Sequence, residues 1–356
     1  MKRKLDNAVV LVTGGTGSLG QALIRRLLRL ENGSPRKIIV FSRDEAKQYS
    51  MKTAWKHAYA ATDDIYYSNF EELLEFWIGD VRDRYAVDRA ISQSDVIVHA
   101  AAMKQVPTCE YFPTQAVATN VLGAENMVTA ARKHERLHTL IAVSTDKACK
   151  PINVMGMTKA VQERIVAEGN LHQDHCRMAA VRYGNVLSSR GSVIPLFKRQ
   201  IANGGPVTIT LPEMTRFLLS LESAVDTVLA ALEWAGRGDI LVPKISSARV
   251  TDIAASLIGD REIDVVTTGI RPGEKIHEIL VSEEEAYRTV ELNGYYVIRP
   301  LLPELHHEQE ERVLEGEFSS ADAIVTGREL EDLLDQADFV DAAMIGSGQL
   351  LSSLPA

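Results

Sequence analysis

Val9-Val10-Leu11-Val12-Thr13-Gly14-Gly15-Thr16-Gly17-Ser18-Leu19-Gly20 decides the fold. Four apolar residues in a row, closed by Thr13, predict a strand buried on both faces, as in a parallel sheet. Glycines follow at 14, 17 and 20 with G-x-x-G-x-x-G spacing, and then a helical stripe of Leu19, Leu23, Leu27 and Leu30. Such a turn lets backbone approach a pyrophosphate and aims a helix N-terminus at it. Gly14, Thr16, Gly17, Ser18, Leu19 and Gly20 are therefore expected to cradle a dinucleotide.

The same rhythm continues outward. Apolar runs predict strands at Lys37–Phe41, Phe76–Val81, Val96–Ala100, Leu140–Ser144 and Met178–Tyr183. Helical patterns fall at Thr114–His134 and Gly156–Glu168. Alternating β and α elements predict an α/β fold, a doubly wound parallel Rossmann-type sheet. After Asn185 glycine and proline punctuate the chain, with short helices expected at Leu221–Ala235 and Val250–Leu257. This half is expected to be a smaller α/β lobe covering a substrate. The predicted division is residues 1–185 for the cofactor, 186–310 mainly for the substrate, and 311–356 for a C-terminal helix (Leu330–Asp338) and tail.

Composition narrows the function classes. The 356 residues are 46% hydrophobic and 24% charged, which excludes a disordered chain and a disulfide miniprotein. A net charge of −9 argues against duplex nucleic acid and anionic membrane surfaces as partners. Three cysteines without CxxC spacing predict a reducing, cytoplasmic setting. No apolar run approaches the ~20 residues of a membrane helix, and Met1–Asp6 has no h-region of a secretory signal. No metal is expected: His134/His138 and the cluster His172, His175 and Cys176 fit no ligand motif and read as surface polar residues. The run Glu283-Glu284-Glu285 reads as a solvated helix start or loop.

Strand ends carry the candidate chemistry. Ser42 and Arg43 after the second strand suit a 2′-phosphate and favour NADP over NAD, while Asp44 is either a ribose acceptor or a helix N-cap. Asp80, with Val81 beside it, is either an adenine acceptor or a cap of the next helix. Small Ala100, Ala101 and Ala102 admit the cofactor ribose, Thr119 joins the cofactor contacts, and His99 reads as a packed strand-end histidine. Ser144-Thr145-Asp146-Lys147 ends a strand where open α/β sheets place their chemistry. It reads either as an acid–base cluster beside the cofactor or as a helix start capped by Asp146 with Lys147 in solvent.

Taken with TGGTGSLG, FSRDE, GDVRD, HAAAMKQVPTCEYFP, STDKACKPIN, VRYGNVLSSRGSVIPLF, MTRF and RPGEK, these motifs resemble an extended short-chain dehydrogenase/reductase. More narrowly, residues 7 to 340 resemble the inverting UDP-N-acetylglucosamine 4,6-dehydratases of capsule and flagellin-sugar pathways. The resemblance implies that Thr145 is the family's catalytic threonine, that Asp146 is the acid for the departing C6 hydroxyl, and that Lys147 is the base at C5. It makes Lys159 the cofactor-ribose lysine and puts Met155 where the family carries tyrosine. A thioether moves no proton, so the base for the C4 hydroxyl is then Asp146, Lys147 or water. The implied reaction is oxidation at C4, loss of water across C5 and C6, and hydride return to C6, with the cofactor retained. A lysine base needs its pKa brought down from ~10.4 toward neutrality, and burial and Lys159 are expected to do that.

For the UDP-sugar, the resemblance points to Lys104 and Asn185. Arg216 and Arg271 are guanidinium candidates for the diphosphate, Glu274 for the uridine ribose, and Val193, Ile194 and Pro195 for the uracil wall. Arg216 beside Phe217 reads equally as a partner of some carboxylate. The family implies a closed homo-oligomer, such as a hexamer. Competing functions are a C4 epimerase or a 5,6-ene-forming dehydratase on the same scaffold, and a catalytically silent NADP-binding sensor.

Overall fold

The computed structural model describes residues 5–59, 70–187, 193–270, 273–305 and 311–335. Its strands are β1 (Val9–Thr13), β2 (Lys37–Ser42), β3 (Leu74–Ile78), β4 (Val96–His99), β5 (Thr139–Val143), β6 (Arg177–Val181), β7 (Val207–Ile209) and β8 (Thr215–Phe217). They continue as β9 (Ile240–Pro243), β10 (Ser247–Arg249), β11 (Val265–Thr267), β12 (Ile279–Val281), β13 (Thr289–Leu292), β14 (Tyr295–Ile298) and β15 (Phe318–Ser319).

The main sheet runs β13-β14-β9-β6-β5-β4-β1-β2-β3. From β3 to β9 every pairing is parallel, and the β13–β14 hairpin joins antiparallel. The six N-terminal strands lie within three residues of their predicted places, in the 3-2-1-4-5-6 order of a dinucleotide-binding sheet. The order reverses between β1 and β4, which opens a crevice at their C-terminal ends. Later strands extend this sheet: β9, β13 and β14 all come from beyond residue 239.

Alternation along β1 shows why the sheet is covered twice. Val10 and Val12 pack with Leu23 and Leu27 of the helix Ser18–Leu28 and with Val225 and Val228 of the helix Leu221–Trp234. Val9 and Leu11 face the other way, onto Val87, Ile91, Met127 and Ala131 of the helices Arg84–Ile91 and Gly123–Lys133. A strand with both faces in apolar contact has no use for polar residues, hence its unbroken apolar run. Leu30, placed on the first helix stripe by spacing, lies past the helix end with φ of 59°.

A second apolar cluster belongs to the smaller lobe. Phe197 and Ile201 of the helix Val193–Ala202 pack with Ile253 and Ile258 of the helix Val250–Ile258, with Val207 and Ile209, and with Leu330 and Leu334. The C-terminal helix covers 327–335, and its expected apolar face is the one buried. The rest of the predicted helix and the tail from Gly346 lie outside the described residues.

The long helix expected over Thr114–His134 is interrupted. Its first turn, Pro113–Ala116, passes into a π-helical segment, Val117–Leu122, before α-helix resumes at Gly123. The wide turn buries Asn120, whose amide bonds both the N–H and the carbonyl of Met103 and donates to Thr158 Oγ1. π-bulges of this kind occur frequently at functional sites.

Candidate active site

A cleft of about 1300 Å³ opens at the C-terminal ends of the parallel strands, between sheet and smaller lobe. Its floor is the glycine turn. Gly14 has φ of +68°, and a Cβ there would lie 2.8 Å from the Ala101 backbone nitrogen. A Cβ on Gly20 would lie 2.6 Å from Gly14 O. Turn, β4 end and helix therefore meet backbone to backbone. The helix Ser18–Leu28 has no side-chain cap at Gly17, and its first residues, Ser18, Leu19 and Gly20, line the cleft.

The other cofactor candidates line the same cleft: Thr16, Ser18 and Leu19, then Ser42, Arg43, Asp80 and Val81, then Ala100, Ala101, Ala102, Thr119 and Lys159. Ser42 Oγ lies 3.0 Å from Thr16 Oγ1, and Arg43 stays largely exposed, 3.8 Å from Asp80. Asp44 and Asp80 line the cleft as well, each with a local partner. Asp44 accepts from the Lys47 N–H and caps the helix Glu45–Tyr59. Asp83, not Asp80, caps the helix Arg84–Ile91, while Asp80 is gripped by the Arg82 guanidinium. His99 is buried in the sheet and bonds Thr13 Oγ1 through Nδ1 at 2.8 Å, and burial first, then the Lys159 charge, pushes its pKa down to about 3. It is the packed histidine expected.

β5 delivers the chemistry-bearing turn. Thr145, extended at φ −155°, caps the short 3-10 turn Asp146–Ala148 and donates to Asp146 Oδ1 at 2.6 Å. Lys147 Nζ lies 3.2 Å from both Asp146 oxygens, 3.0 Å from Asn185 Oδ1 and 3.4 Å from Glu278 Oε1. Burial and the Arg216 charge work against the ammonium, but Asp146 and Glu278 outweigh them and hold its pKa above the ordinary lysine value. This corrects the expectation of a lowered value, because two carboxylates face the amine. Asp146 also departs from expectation, because it is fully buried behind Thr145 and Lys147 and takes no part in the cleft wall.

One helix further, Lys159 is buried and donates to the Val143 carbonyl and to Gln162. Burial lowers its pKa to about 7, against the opposing pull of Glu163. Met155 lines the cleft and packs against Cys109 and Ala116, with no proton to offer.

On the lobe side, Lys104, Asn185, Val193, Arg216 and Glu274 line the cleft. Arg271 lies outside the described residues. Arg216 turns inward: Nη1 donates to the Thr215 and Ile276 carbonyls, and Nε faces Glu278 at 3.9 Å. The suggested uracil wall is revised, because Ile194 is buried in the lobe core and Leu196 and Phe197 reach the cleft instead of Ile194 and Pro195.

Sequence reasoning missed two groups. Glu278 is a buried carboxylate on the cleft wall, and its only signal was an acid wedged beside apolar Ile279 and Leu280. Arg182 is buried and bridges Glu163 and Glu285, each by two bonds of 2.6 to 3.0 Å. Glu285 thus leaves the solvated run assigned to it: it closes a capping box with Ser282 and pins the helix Glu283–Ala286 to the sheet. The histidines are locally explained, His134 by Asp88, His138 by Thr139 and His175 by the Ala131 carbonyl. Among the described residues no group of three or more His, Cys, Asp or Glu is placed to hold a metal ion.

Residues 10–300 match the family described as polysaccharide biosynthesis protein. The chain is 40% identical over 304 residues to a Campylobacter jejuni protein named UDP-N-acetylglucosamine 4,6-dehydratase (inverting), covering 85% of each. It is 43% identical over 294 residues to a Rickettsia felis protein named UDP-glucose 4-epimerase, covering 81% of this chain and 82% of that one. The X-ray structure of Pen from Bacillus thuringiensis superposes with a TM-score of 0.82 at 29% identity, over 94% of this chain and 99% of that one. With the doubly wound sheet and the glycine turn, these matches make the chain a member of the polysaccharide-biosynthesis family, an extended short-chain dehydrogenase/reductase resembling the inverting UDP-N-acetylglucosamine 4,6-dehydratases.

Proposed function

We propose that the protein is an NADP-dependent, C5-inverting UDP-N-acetylglucosamine 4,6-dehydratase, a hydro-lyase. The observation that carries this reading is the cluster of Thr145, Asp146, Lys147, Asn185 and Glu278 at the end of β5, in one cleft with the glycine cradle. A simple C4 epimerase needs no acid–base cluster for C5.

A nicotinamide dinucleotide fits the residues present. A Cβ at Gly14 or Gly20 would strike the backbone that shapes the turn, and the buried Thr119 hydroxyl on the cleft wall has no partner among the described residues. Gly14, Thr16, Gly17, Ser18, Leu19 and Gly20 would hold the pyrophosphate, Lys159 and Ala100–Ala102 the nicotinamide half, and Asp80 and Val81 the adenine. Ser42 and Arg43 favour the 2′-phosphate form, and Asp44 beside them on the cleft wall also caps a helix. The cofactor supplies the hydride acceptor and donor that interconvert the C4 alcohol and ketone.

The chain's own residues divide the remaining work. Lys147 reaches the cleft and holds or takes the C5 proton. Asp146, behind it, passes a proton toward the sugar only through Thr145 Oγ1 or Lys147, the two groups it bonds. Lys104, Asn185, Val193, Arg216, Arg271 and Glu274 are assigned to the UDP-sugar. Met155 takes no part in proton transfer. By ligand, residues 1–185 mainly serve the cofactor, with Lys104, Lys147 and Asn185 turned to the sugar nucleotide, and 186–310 mainly serve the UDP-sugar, while 311–356 contribute the helix 327–335 that backs the lobe core.

Exposed apolar side chains support a homo-oligomer. Tyr111, Phe112, Val117 and Leu122 stand in one stretch, and Met157 and Val161 one turn apart on the adjacent helix Val154–Glu168. The three cysteines are unpaired, in keeping with a cytoplasmic site, and no helix among the described residues is long and apolar enough to cross a membrane.

Incubation with UDP-N-acetylglucosamine in D₂O, followed by NMR of C4, C5 and C6, tests the reading. A 4-keto-6-methyl product with deuterium at C5 is expected. UDP-N-acetylgalactosamine as product identifies an epimerase, the reading that the name of the Rickettsia relatives favours.

A further inference from the structure

Lys147 sits in a cage with no obvious exit for its proton. Its ammonium faces three acceptors, and together the carboxylates hold the charge in place. A base must first lose that proton, so one acceptor has to take it.

The two carboxylates are not equivalent. Asp146 Oδ1 already accepts from Thr145 Oγ1 at 2.6 Å and from the Lys147 backbone N–H at 3.0 Å. Glu278 is dressed far more thinly. Its Oε2 is buried with no hydrogen-bond partner among the described residues, and Oε1 faces only Lys147 at 3.4 Å and Arg216 at 3.9 Å. Its backbone is locked meanwhile, the N–H donating to Ser320 Oγ and the carbonyl accepting from the Ser320 N–H. Its strand neighbours are spent elsewhere, His277 on Thr215 Oγ1 and Lys275 on the Cys149 carbonyl. Glu278 thus offers, beside the amine, a buried carboxylate oxygen that no donor occupies among the described residues and that has room to carry a proton.

We propose that Glu278 is the proton-holding partner of Lys147, a positioning residue that converts the resting ammonium into the working base. The proposal rests on the dehydratase reading above. In the step, an N–H bond of Lys147 breaks and its proton bonds to a Glu278 oxygen, so that ammonium and carboxylate become amine and carboxylic acid. No charge is gained or lost by the pair. The amine lone pair then takes the C5 proton. One feature makes the transfer follow substrate binding. Filling the cleft removes water, which penalises the ion pair more than the neutral pair.

Such a dyad shares one proton, so between its two macroscopic pKa values the rate is independent of pH. Turnover of UDP-N-acetylglucosamine by wild type, Glu278→Gln and Glu278→Asp from pH 6.5 to 8.5 tests this. Wild type should give a flat profile. The Gln variant keeps an oxygen acceptor for Lys147 but takes no proton. Its kcat should fall by roughly 10²–10³ with KM little changed, and log kcat should climb with pH at unit slope, since solvent must now deprotonate Lys147. The Asp variant should be slower but flat. A Gln variant within threefold of wild-type kcat, or with the wild-type profile, overturns the proposal and leaves the dehydratase reading standing. If the Gln variant loses its fold, judged by its melting transition, the Asp variant decides: flat supports the dyad, unit slope refutes it. A wild-type protein inert toward the sugar nucleotide overturns the dehydratase reading and this assignment with it.

Discussion

Gly156 gives a sharp test of how the Lys147 turn is positioned. It is the third residue of the helix Val154–Glu168, and a Cβ built on it would lie 2.1 Å from the carbonyl oxygen of Lys147 and 3.2 Å from Pro151 Cβ. Even close C–H···O contacts keep carbon and oxygen about 3.3 Å apart, so Gly156→Ala demands relief of roughly 1 Å. The neighbour is backbone, which no rotamer change can move aside. Either the turn Asp146–Ala148 or the helix must shift. A helix shift also pulls Gly156 N from its 2.8 Å bond to the Asn153 cap. Lys147 Nζ is held by contacts of 3.0 to 3.4 Å, so a displacement of this size breaks its cage. Misplacement by about 1 Å costs on the order of 100-fold in rate, and overpacking costs about 1–3 kcal/mol of stability. We expect kcat on UDP-N-acetylglucosamine to drop about 100-fold, with cofactor affinity far less affected. Urea unfolding should show a stability loss within that overpacking range. Gly316→Ala is the control, since nothing lies within 4 Å of the place its methyl group would take. A Gly156→Ala protein with turnover within threefold of wild type would refute the claim that close helix–turn packing sets the geometry of Lys147.

Three further outcomes follow from other parts of the molecule. Arg43→Ala should weaken NADP binding by roughly 10- to 100-fold, as for loss of a charge-assisted bond, and leave NAD binding nearly unchanged. Equal losses for both cofactors, measured by fluorescence titration, would remove the 2′-phosphate assignment. Met155→Leu conserves volume and removes no titratable group, so kcat should stay within a few-fold of wild type; a loss of 100-fold would mean that the sulfur itself matters. Glu285 concerns stability. Burial pushes its pKa up, but the Arg182 guanidinium and its bonds outweigh this and hold it down at about 2, below the ordinary glutamate value of 4.5. A depressed carboxylate stabilises the fold above its unfolded pKa, and that contribution disappears as pH falls from about 4.5 to about 2. Glu285→Gln should therefore flatten the acid limb of the stability–pH curve. At pH 7 it should cost on the order of 3 kcal/mol, because Arg182 stays buried with one partner fewer. An acid limb as steep as in wild type would argue against the pairing.

Much of this was legible along the chain. Strands buried on both faces announce themselves as apolar runs, and glycines at a strand–helix turn mark a backbone that something approaches closely. Those signals place β1 to β6, the cradle, and the turn after β5. Local spacing carries no such signal for contacts between distant segments. Asn120 turns inward through a π-bulge that no period of 3.6 predicts. Ile194 and Leu196 differ only in which side of one helix meets the lobe core.

Local pattern was enough for the doubly wound sheet, the glycine turn and the identity of the residues at the strand ends. Apolar periodicity, glycine spacing and the polarity of a strand's last residues are all written in neighbouring positions. Charge states and partners are not, and they came only with the folded chain. Glu278 and Glu285 lie more than a hundred residues from Lys147 and Arg182, respectively, yet fold against them. Burial strengthens those charge interactions by stripping away water, so the protonation of Lys147 is settled by which carboxylates the fold brings to it.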